Sequence, residues 1–450
     1  MSLHGALKIK IETEYFMRGL HVLCMVTVCA SQVGAQAVGS TGSTASVADS
    51  LRLTRAEAIA RALASNPQLE IARQQTNQLR AARVTATAIP DPSVSASLDQ
   101  QSGLFRSGSG GEKNVGIGLT IPFPDKFRLL NNVATADVRA SESLYEALRK
   151  QLAAQTSQAY DSLLVALRHR SDIRESKQLS EDFLKRTQAR FDAGMVPRLD
   201  VIKARVDVAQ ATNALISSER DISNAQAALD RLLGRPLGLP IVATDSLGIP
   251  ADLATLEDLE PMALSHRSEL ASIAAQRKGA GAATSLAREF WLPDITLGAS
   301  RDLSPGTPPT AFSTGLAFPL PIMFWQHTRG EIAQSQYRER ELAATERDLR
   351  ASIAEEVRVA YATADAALRQ VRYIRDELLP AARDAFRAAS AAYAIGGSSA
   401  LEVIEARRAL LDAEAQYTDA LATANTSRAD LERAVGAPLS TAPPSPNNAK

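Results

Sequence analysis

Apolar positions along the chain follow two periods. Residues 125–193 contain no proline and carry apolar side chains at helical spacing, as in Leu144, Leu148, Leu152 and Leu163, Leu164, Leu167. This predicts a single helix of roughly 100 Å at 1.5 Å rise per residue. Gly194-Met195-Val196-Pro197 reads as a helix stop followed by a helix start, with Asp200 in the new first turn. The next helix is expected over 198–233, ending at Gly234-Arg235-Pro236. The pattern recurs from about 322 to 394, turns at Gly396-Gly397-Ser398-Ser399, and runs on to Gly436-Ala437-Pro438. Pro380 falls inside the second long helix and predicts a kink.

Between the helices the period drops to two. Val94, Ala96 and Leu98 alternate with serines, and Val115, Ile117, Leu119, Ile121 and Phe123 alternate with Asn114, Gly116, Gly118 and Thr120. Segment 295–302 sets Ile295, Leu297 and Ala299 against Thr296, Gly298 and Ser300, and segment 312–320 puts Phe312, Leu316, Phe318 and Leu320 on one face. Strands apolar on one side and small or polar on the other suit a barrel wall, and their length suits a tilted membrane-spanning strand. Four strands cannot close a barrel, and an open edge in lipid leaves backbone groups unsatisfied. The strands must therefore be pooled between protomers.

Both halves carry the same punctuation. Ala189, Gly194, Leu199, Val201, Ile202, Ala204 and Arg205 match Ala391, Gly396, Leu401, Val403, Ile404, Ala406 and Arg407 at a constant offset of 202, which continues through Gly234, Pro236 and Gly436, Pro438. Pro122-x-Pro124 pairs with Pro319-x-Pro321, and Pro90-Asp91 with Pro293-Asp294. Matched glycines and prolines imply one duplicated unit. The expected fold is mainly α with a small β part, built from two tandem helix–hairpin–helix repeats at 51–240 and 241–440. A linker over 38–50 precedes them and a Pro-rich disordered tail over 441–450 follows.

Composition adds export and removes chemistry. The 450 residues carry 50 Lys plus Arg and 50 Asp plus Glu, so no net charge argues for nucleic acid. From Met17, a basic start, an apolar run Leu20 to Ala30 and Ala35-Gln36-Ala37 form a signal peptide with expected cleavage after Ala37, assigning 1–37 to export. Both cysteines, Cys24 and Cys29, lie within it. Lipid attachment at Cys29 is disfavoured by the bulky Val28, and cleavage at Ala37 leaves a mature chain without thiols. His169, His266 and His327 stand far apart with no His-x-His or His-Glu-x-x-His pattern. No catalytic, cofactor-binding or metal-binding residues are expected. Trp291 and Trp325, near the two ends of the second hairpin, suit an interfacial aromatic belt.

Over residues 51–440 the sequence resembles the TolC-type outer membrane efflux family. The resemblance rests on the duplication, on Leu53-Thr54 opening Ala56-Glu57-Ala58-Ile59, and on Asn66-Pro67-Gln68-Leu69. Pro90-Asp91-Pro92, the Pro122/Pro124 exit, and Phe191-x-x-Gly194 through Leu199-Asp200-Val201 extend it. It implies a homotrimer whose shared twelve-stranded barrel in the outer membrane continues as a periplasmic α-helical barrel. Pro122, Pro124, Pro319 and Pro321 would mark the strand-to-helix transition. The turns with Gly194, Val196, Gly396 and Gly397 would meet a periplasmic adaptor, and an inner-membrane pump of the proton-driven resistance-nodulation-division type would supply energy. Glu402 and Glu405, with Asp200, would face the periplasmic aperture; alternatively Glu402 stabilises a helix N-terminus. Relatives often place a basic residue in the second turn, where this chain has Ser398 and Ser399. The expected function is a passive exit duct for metal cations or small toxic molecules, and the proline-rich strand exits resemble the heavy-metal branch. A periplasmic adaptor and an exported structural coiled coil are the alternatives.

Overall fold

The computed structural model describes residues 51–98, 113–289, 292–304, 306–308, 312–319 and 324–439. The expected signal peptide 1–37, the linker 38–50, the tail 441–450, Trp291 and Pro321 lie outside the described residues, as does the side chain of Trp325.

The first half runs β1 (Leu51–Leu53), α1 (Arg55–Ser65), α2 (Pro67–Ala86), β2 (Ser93–Leu98), β3 (Lys113–Ile121), α3 (Pro124–Asp192) and α4 (Arg198–Leu232). The second runs β4 (Ile241–Ala243), α5 (Leu256–His266), α6 (Ser268–Arg288), β5 (Ile295–Asp302), β6 (Ser313–Ala317), α7 (Phe324–Tyr373), a π-helical turn Ile374–Leu378, α8 (Leu379–Ala394) and α9 (Ala400–Val435). Local chemistry fixes the boundaries. Thr54 and Glu57 form a reciprocal capping box at the start of α1. Asn66 caps α2 through Gln68 N–H at 2.8 Å, with Pro67 in the first helical position, and its amide also donates to Leu232 O at 2.9 Å. One side chain thus starts a helix and ties it to the end of α4.

Apolar cores lie at mid-height. Tyr160, Leu163 and Leu229 are fully buried with Ala58 and Ala62, and the Tyr160 hydroxyl donates to Leu53 O at 2.8 Å. In the second half Leu259, Ala263, Ile353, Val357 and Leu431 form the corresponding cluster. A parallel pairing of β1 with β4, Leu51 opposite Ile241, joins the beginnings of the two halves.

The four longer strands make one antiparallel sheet in the order β2-β3-β5-β6. Leu119, Leu297 and Leu316 are in register across three strands, as are Ile117 and Ala299. Gly118, Gly298 and Gly315 occupy the other face, where the Thr120 and Thr296 hydroxyls lie 3.0 Å apart. Beside the sheet the helices pack in the order α2-α3-α6-α7, and nearer the turns α4-α3-α9-α8. β3 ends two residues before the end of the apolar alternation at Phe123, and β6 is shorter than its pattern. Prolines explain the early stop at β3: Pro122 has no N–H for the ladder and Pro124 opens α3.

At Pro380, where a kink is expected, the helix carries a π turn. Leu379 N–H reaches back five residues to Ile374 O, and Pro380 then sits in the first turn of α8, where its missing donor costs nothing.

Gly234 and Gly436 close the returning helices with positive φ, +64° and +75°. A Cβ on Gly234 would lie 2.6 Å from Ser65 O, and one on Gly436 3.1 Å from His266 O. Gly234→Ala should therefore lower thermal stability by about 1–3 kcal/mol, from left-handed strain plus the clash, and by more than Gly436→Ala. Thermal unfolding of the two purified variants tests this; equal midpoints would contradict it.

Candidate functional site

Two regions collect the residues of interest: the helix turns and the strand-to-helix junction. At the first turn Gly194 has φ +72°, its N–H bonds Phe191 O and Met195 N–H bonds Arg190 O, both at 2.8 Å. At the second, Gly396 has φ +80° and Gly397 N–H bonds Ala392 O at 2.8 Å. Both are left-handed helix caps that let the chain reverse. Gly194, Gly396 and Gly397 are exposed and Val196 is partly exposed. The surrounding Met195, Leu199, Ile202, Ile395 and Leu401 are also exposed. The sequence displayed these apolar residues, but only the turn geometry shows that they leave the core.

Asp200 lies in the first turn of α4 and Glu402 at the same place in α9. Ser399 accepts from Glu402 N–H at 3.3 Å and donates to the Glu402 carboxylate at 3.1 Å, so Glu402 takes part in the cap. Glu405 is exposed one turn further along α9.

Above the turns, the hairpin α3–α4 meets the hairpin α8–α9 through an apolar cluster of Phe183 with Phe386, Tyr393 and Val403 and through polar contacts. Arg190 donates to Tyr393 O at 2.6 Å while its guanidinium lies 4.5 Å from the Tyr393 ring centroid. The Phe183 ring packs 5.4 Å from that ring. Asp207 of α4 and Arg407 of α9 form a buried ion pair, and Arg408 donates to Gln210 at 2.5 Å. The Asp207–Arg407 pair was missed from sequence. The available signal was asymmetry: Arg205 matches Arg407 yet is exposed, and Asp207 falls opposite Ala409 in the repeat.

Further up, Asp172 of α3 and Glu414 of α9 share an acidic patch. Burial pushes both carboxyls above their ordinary range, and for Glu414 the charge of Asp172 adds to the effect. Arg168 lies 3.2 Å from Asp172, Arg383 3.8 Å from Glu414, and His169 and Glu175 are also near.

At the junction, Pro122 separates β3 from α3, Pro124 is the first residue of α3, and Pro319 follows β6. Asp294 accepts from Phe123 N–H at 3.3 Å and pairs with Lys126 at 2.8 Å, joining the strand exit of one half to the strand entrance of the other. Among the described residues no three His, Cys, Asp or Glu side chains are arranged to hold a metal ion, and no helix is long and apolar enough to cross a membrane.

The family model described as "Outer membrane efflux protein" matches this chain twice, over residues 58–235 and 259–437. The chain belongs to the outer membrane efflux protein family. It is 25% identical over 399 residues to the cobalt-zinc-cadmium resistance protein CzcC of Cupriavidus metallidurans, covering 85% of this chain and 90% of the relative. It is 23% identical over 394 residues to the probable outer membrane lipoprotein SilC of Salmonella typhimurium, covering 84% of each. Among solved structures, a crystal structure of CusC superposes with a TM-score of 0.72 at 18% identity, covering 85% of this chain and 92% of that one. This family member is thus an outer-membrane efflux protein with the TolC-type channel fold.

The buried pair predicts a measurable asymmetry. Asp207→Ala leaves the Arg407 charge uncompensated and should cost about 3–5 kcal/mol, whereas Asp207→Leu combined with Arg407→Leu should recover most of it. Thermal unfolding of the purified single and double variants checks this, and a double variant as weak as the single would contradict it.

The acidic patch predicts a pH slope. A carboxyl raised in the folded chain binds its proton more readily there than when unfolded. It therefore favours folding at low pH, and that contribution is lost as pH rises from the ordinary carboxylate value through the raised one. Glu414→Gln should raise the thermal midpoint at neutral pH and flatten its dependence between neutral pH and about pH 5. An unchanged slope would remove Glu414 as its source.

Proposed function

We propose that the chain is the outer-membrane exit duct of a tripartite efflux assembly, working as a homotrimer of a duplicated unit with repeats at 51–240 and 241–440. The observation that carries this reading is the open edge. β2 and β6 end the sheet without partners among the described residues, and the helical layers end in the same lateral way, at α2 and α7 above and α4 and α8 below. A lone four-stranded sheet leaves two rows of backbone groups unsatisfied in hydrocarbon; three copies pair every edge and give twelve strands. The face bearing Ile117, Leu119 and Leu297 then meets lipid, and the face bearing Gly118, Gly298 and Gly315 lines the passage.

In this reading Pro122, Pro124, Pro319 and Pro321 turn the barrel into a periplasmic helical tube. The exposed apolar turns at Gly194, Val196, Gly396 and Gly397 dock a periplasmic adaptor, and a proton-driven inner-membrane pump supplies the energy. Glu402 and Glu405, with Asp200, ring the aperture, where confined carboxylates raise the local field for cations. Similarity to a cobalt-zinc-cadmium resistance protein favours metal cations as cargo.

A cysteine on each sheet edge tests the assembly. Ser95→Cys with Gly315→Cys, treated with a bis-maleimide in outer membranes, should give a ladder ending at trimer. The trimer should conduct in planar bilayers, and Glu402→Ala with Glu405→Ala should weaken block by divalent cations. A ladder ending elsewhere, or a protein recovered as a soluble periplasmic monomer, contradicts the duct. Sensitivity of a deletion strain to drugs but not to metals would overturn the cargo assignment.

A further inference from the structure

The four longer strands carry three charged side chains: Lys113 at the start of β3, and Arg301 and Asp302 at the end of β5. All three lie at the end of the sheet away from the helices. The register sorts them by face, because opposed residues of an antiparallel pair point to the same side. Arg301 lies opposite Val115 and shares the apolar face with Ile117, Leu119, Leu297 and Ala299. Lys113 precedes Val115 by two residues, so it stands on that same face, diagonal to Arg301. Asp302 lies opposite Asn114, on the glycine-bearing face.

The one acid is thus turned away from the two bases, and it is engaged locally. Its carboxylate accepts from Ser304 N–H at 2.8 Å and from the Thr307 hydroxyl at 3.1 Å. Ser304 Oγ accepts from Lys113 N–H at 3.0 Å, and Leu303 N–H bonds Lys113 O at 2.6 Å, so the rim is tied together across β3 and β5. Arg301 is exposed and Lys113 half-buried, and neither pairs with a carboxylate of a described residue. Diagonal neighbours on one face sit roughly 7 Å apart. A phosphate can bridge that gap, with the Arg301 fork on two oxygens and the Lys113 ammonium on a third.

We propose that Lys113 and Arg301 bind a phosphate of an outer-leaflet glycolipid, whose acyl chains run down the exposed Val115, Ile117 and Leu297. This rests on the barrel reading, in which that face meets lipid and the far end of the sheet reaches the outer leaflet. A basic side chain near a barrel rim costs little, but two side by side repel unless an anion lies between them. The site is complete within one chain, because β3 and β5 are the two central strands.

Native mass spectrometry of the full-length protein in detergent, titrated with lipid A bearing both its phosphates, should show one saturable lipid per chain. Lys113→Gln with Arg301→Gln should weaken that lipid about tenfold, to the affinity of fully dephosphorylated lipid A. Removing the same charge from α7, by Arg338→Gln with Arg340→Gln, should change neither affinity. Millimolar inorganic phosphate should not displace the lipid, because the acyl chains add apolar contact. Absence of saturable binding, equal affinity for the two lipids, an equal loss in the α7 variant, or displacement by inorganic phosphate overturns the proposal. The bis-maleimide ladder, run with and without the Lys113 and Arg301 substitutions, separates the site from the barrel. A ladder ending at trimer beside lipid binding indifferent to the two charges overturns the lipid site alone. No trimer with both charges in place overturns the barrel and the site with it.

Discussion

In the proposed barrel, backbone groups at a sheet edge have no water to bond, and that constraint organises the chain. A strand can enter a membrane only if every N–H and C=O finds a partner. Here the two hairpins, about 200 residues apart in sequence, pair through β3 and β5, which leaves one edge on β2 and one on β6. The helices follow the same lateral order, and β3 passes into α3 across only Pro122 and Phe123. The junction is stiffened where the strands end, by Pro122 and Pro124 and by Asp294 bridging Phe123 N–H and Lys126. Sheet order and helix order are thus one decision made at the junction.

Below the sheet, each half solves the same burial problem with corresponding residues. Leu229 and Leu431 sit at full burial, Tyr160 and Tyr361 pack in or against the two clusters, and Gly234 and Gly436 let a helix end pass close to a carbonyl of the neighbouring element. The halves differ where they touch each other. Asp207 and Arg407 have no counterpart pair at the corresponding positions, Ala409 and Arg205. A buried ion pair often stabilises no more than apolar packing of the same volume, whereas removing one partner is strongly destabilising, so the two residues are retained together where the halves meet.

Much of this was legible in the residues. Periods of 3.6 and 2, with glycine and proline punctuation, located the long helices, the turns and the four strands to within a few residues, because each repeats over many positions. What could not be read involved short or distant pairings. β1 and β4 are three residues each, too short to show a period, and they pair where Leu53 O accepts from both the Tyr160 and Thr244 hydroxyls. Asp207 and Arg407 each look like ordinary surface residues of a helix until the two helices are packed. At Pro380 the sequence predicts a kink, and the structure has a π turn, Ile374–Leu378, just before it, which accommodates the missing donor.

Cohesion between the hairpins is not uniform along their length. At mid-height the large, fully buried side chains pack within their own halves, Leu163 with Leu229 and Leu431 with Val357, while α3 meets α9 there through polar contacts of Gln158 with Asp430 and His169 with Asp419. Toward the turns an ion pair and a guanidinium on a tyrosine ring are joined by an apolar cluster in which Phe183 of α3 packs with Phe386, Tyr393 and Val403. The two halves are thus separate cores, held to each other by directional polar contacts along their length and by one small apolar cluster near the turns, with Met195 and Ile395 exposed beyond it.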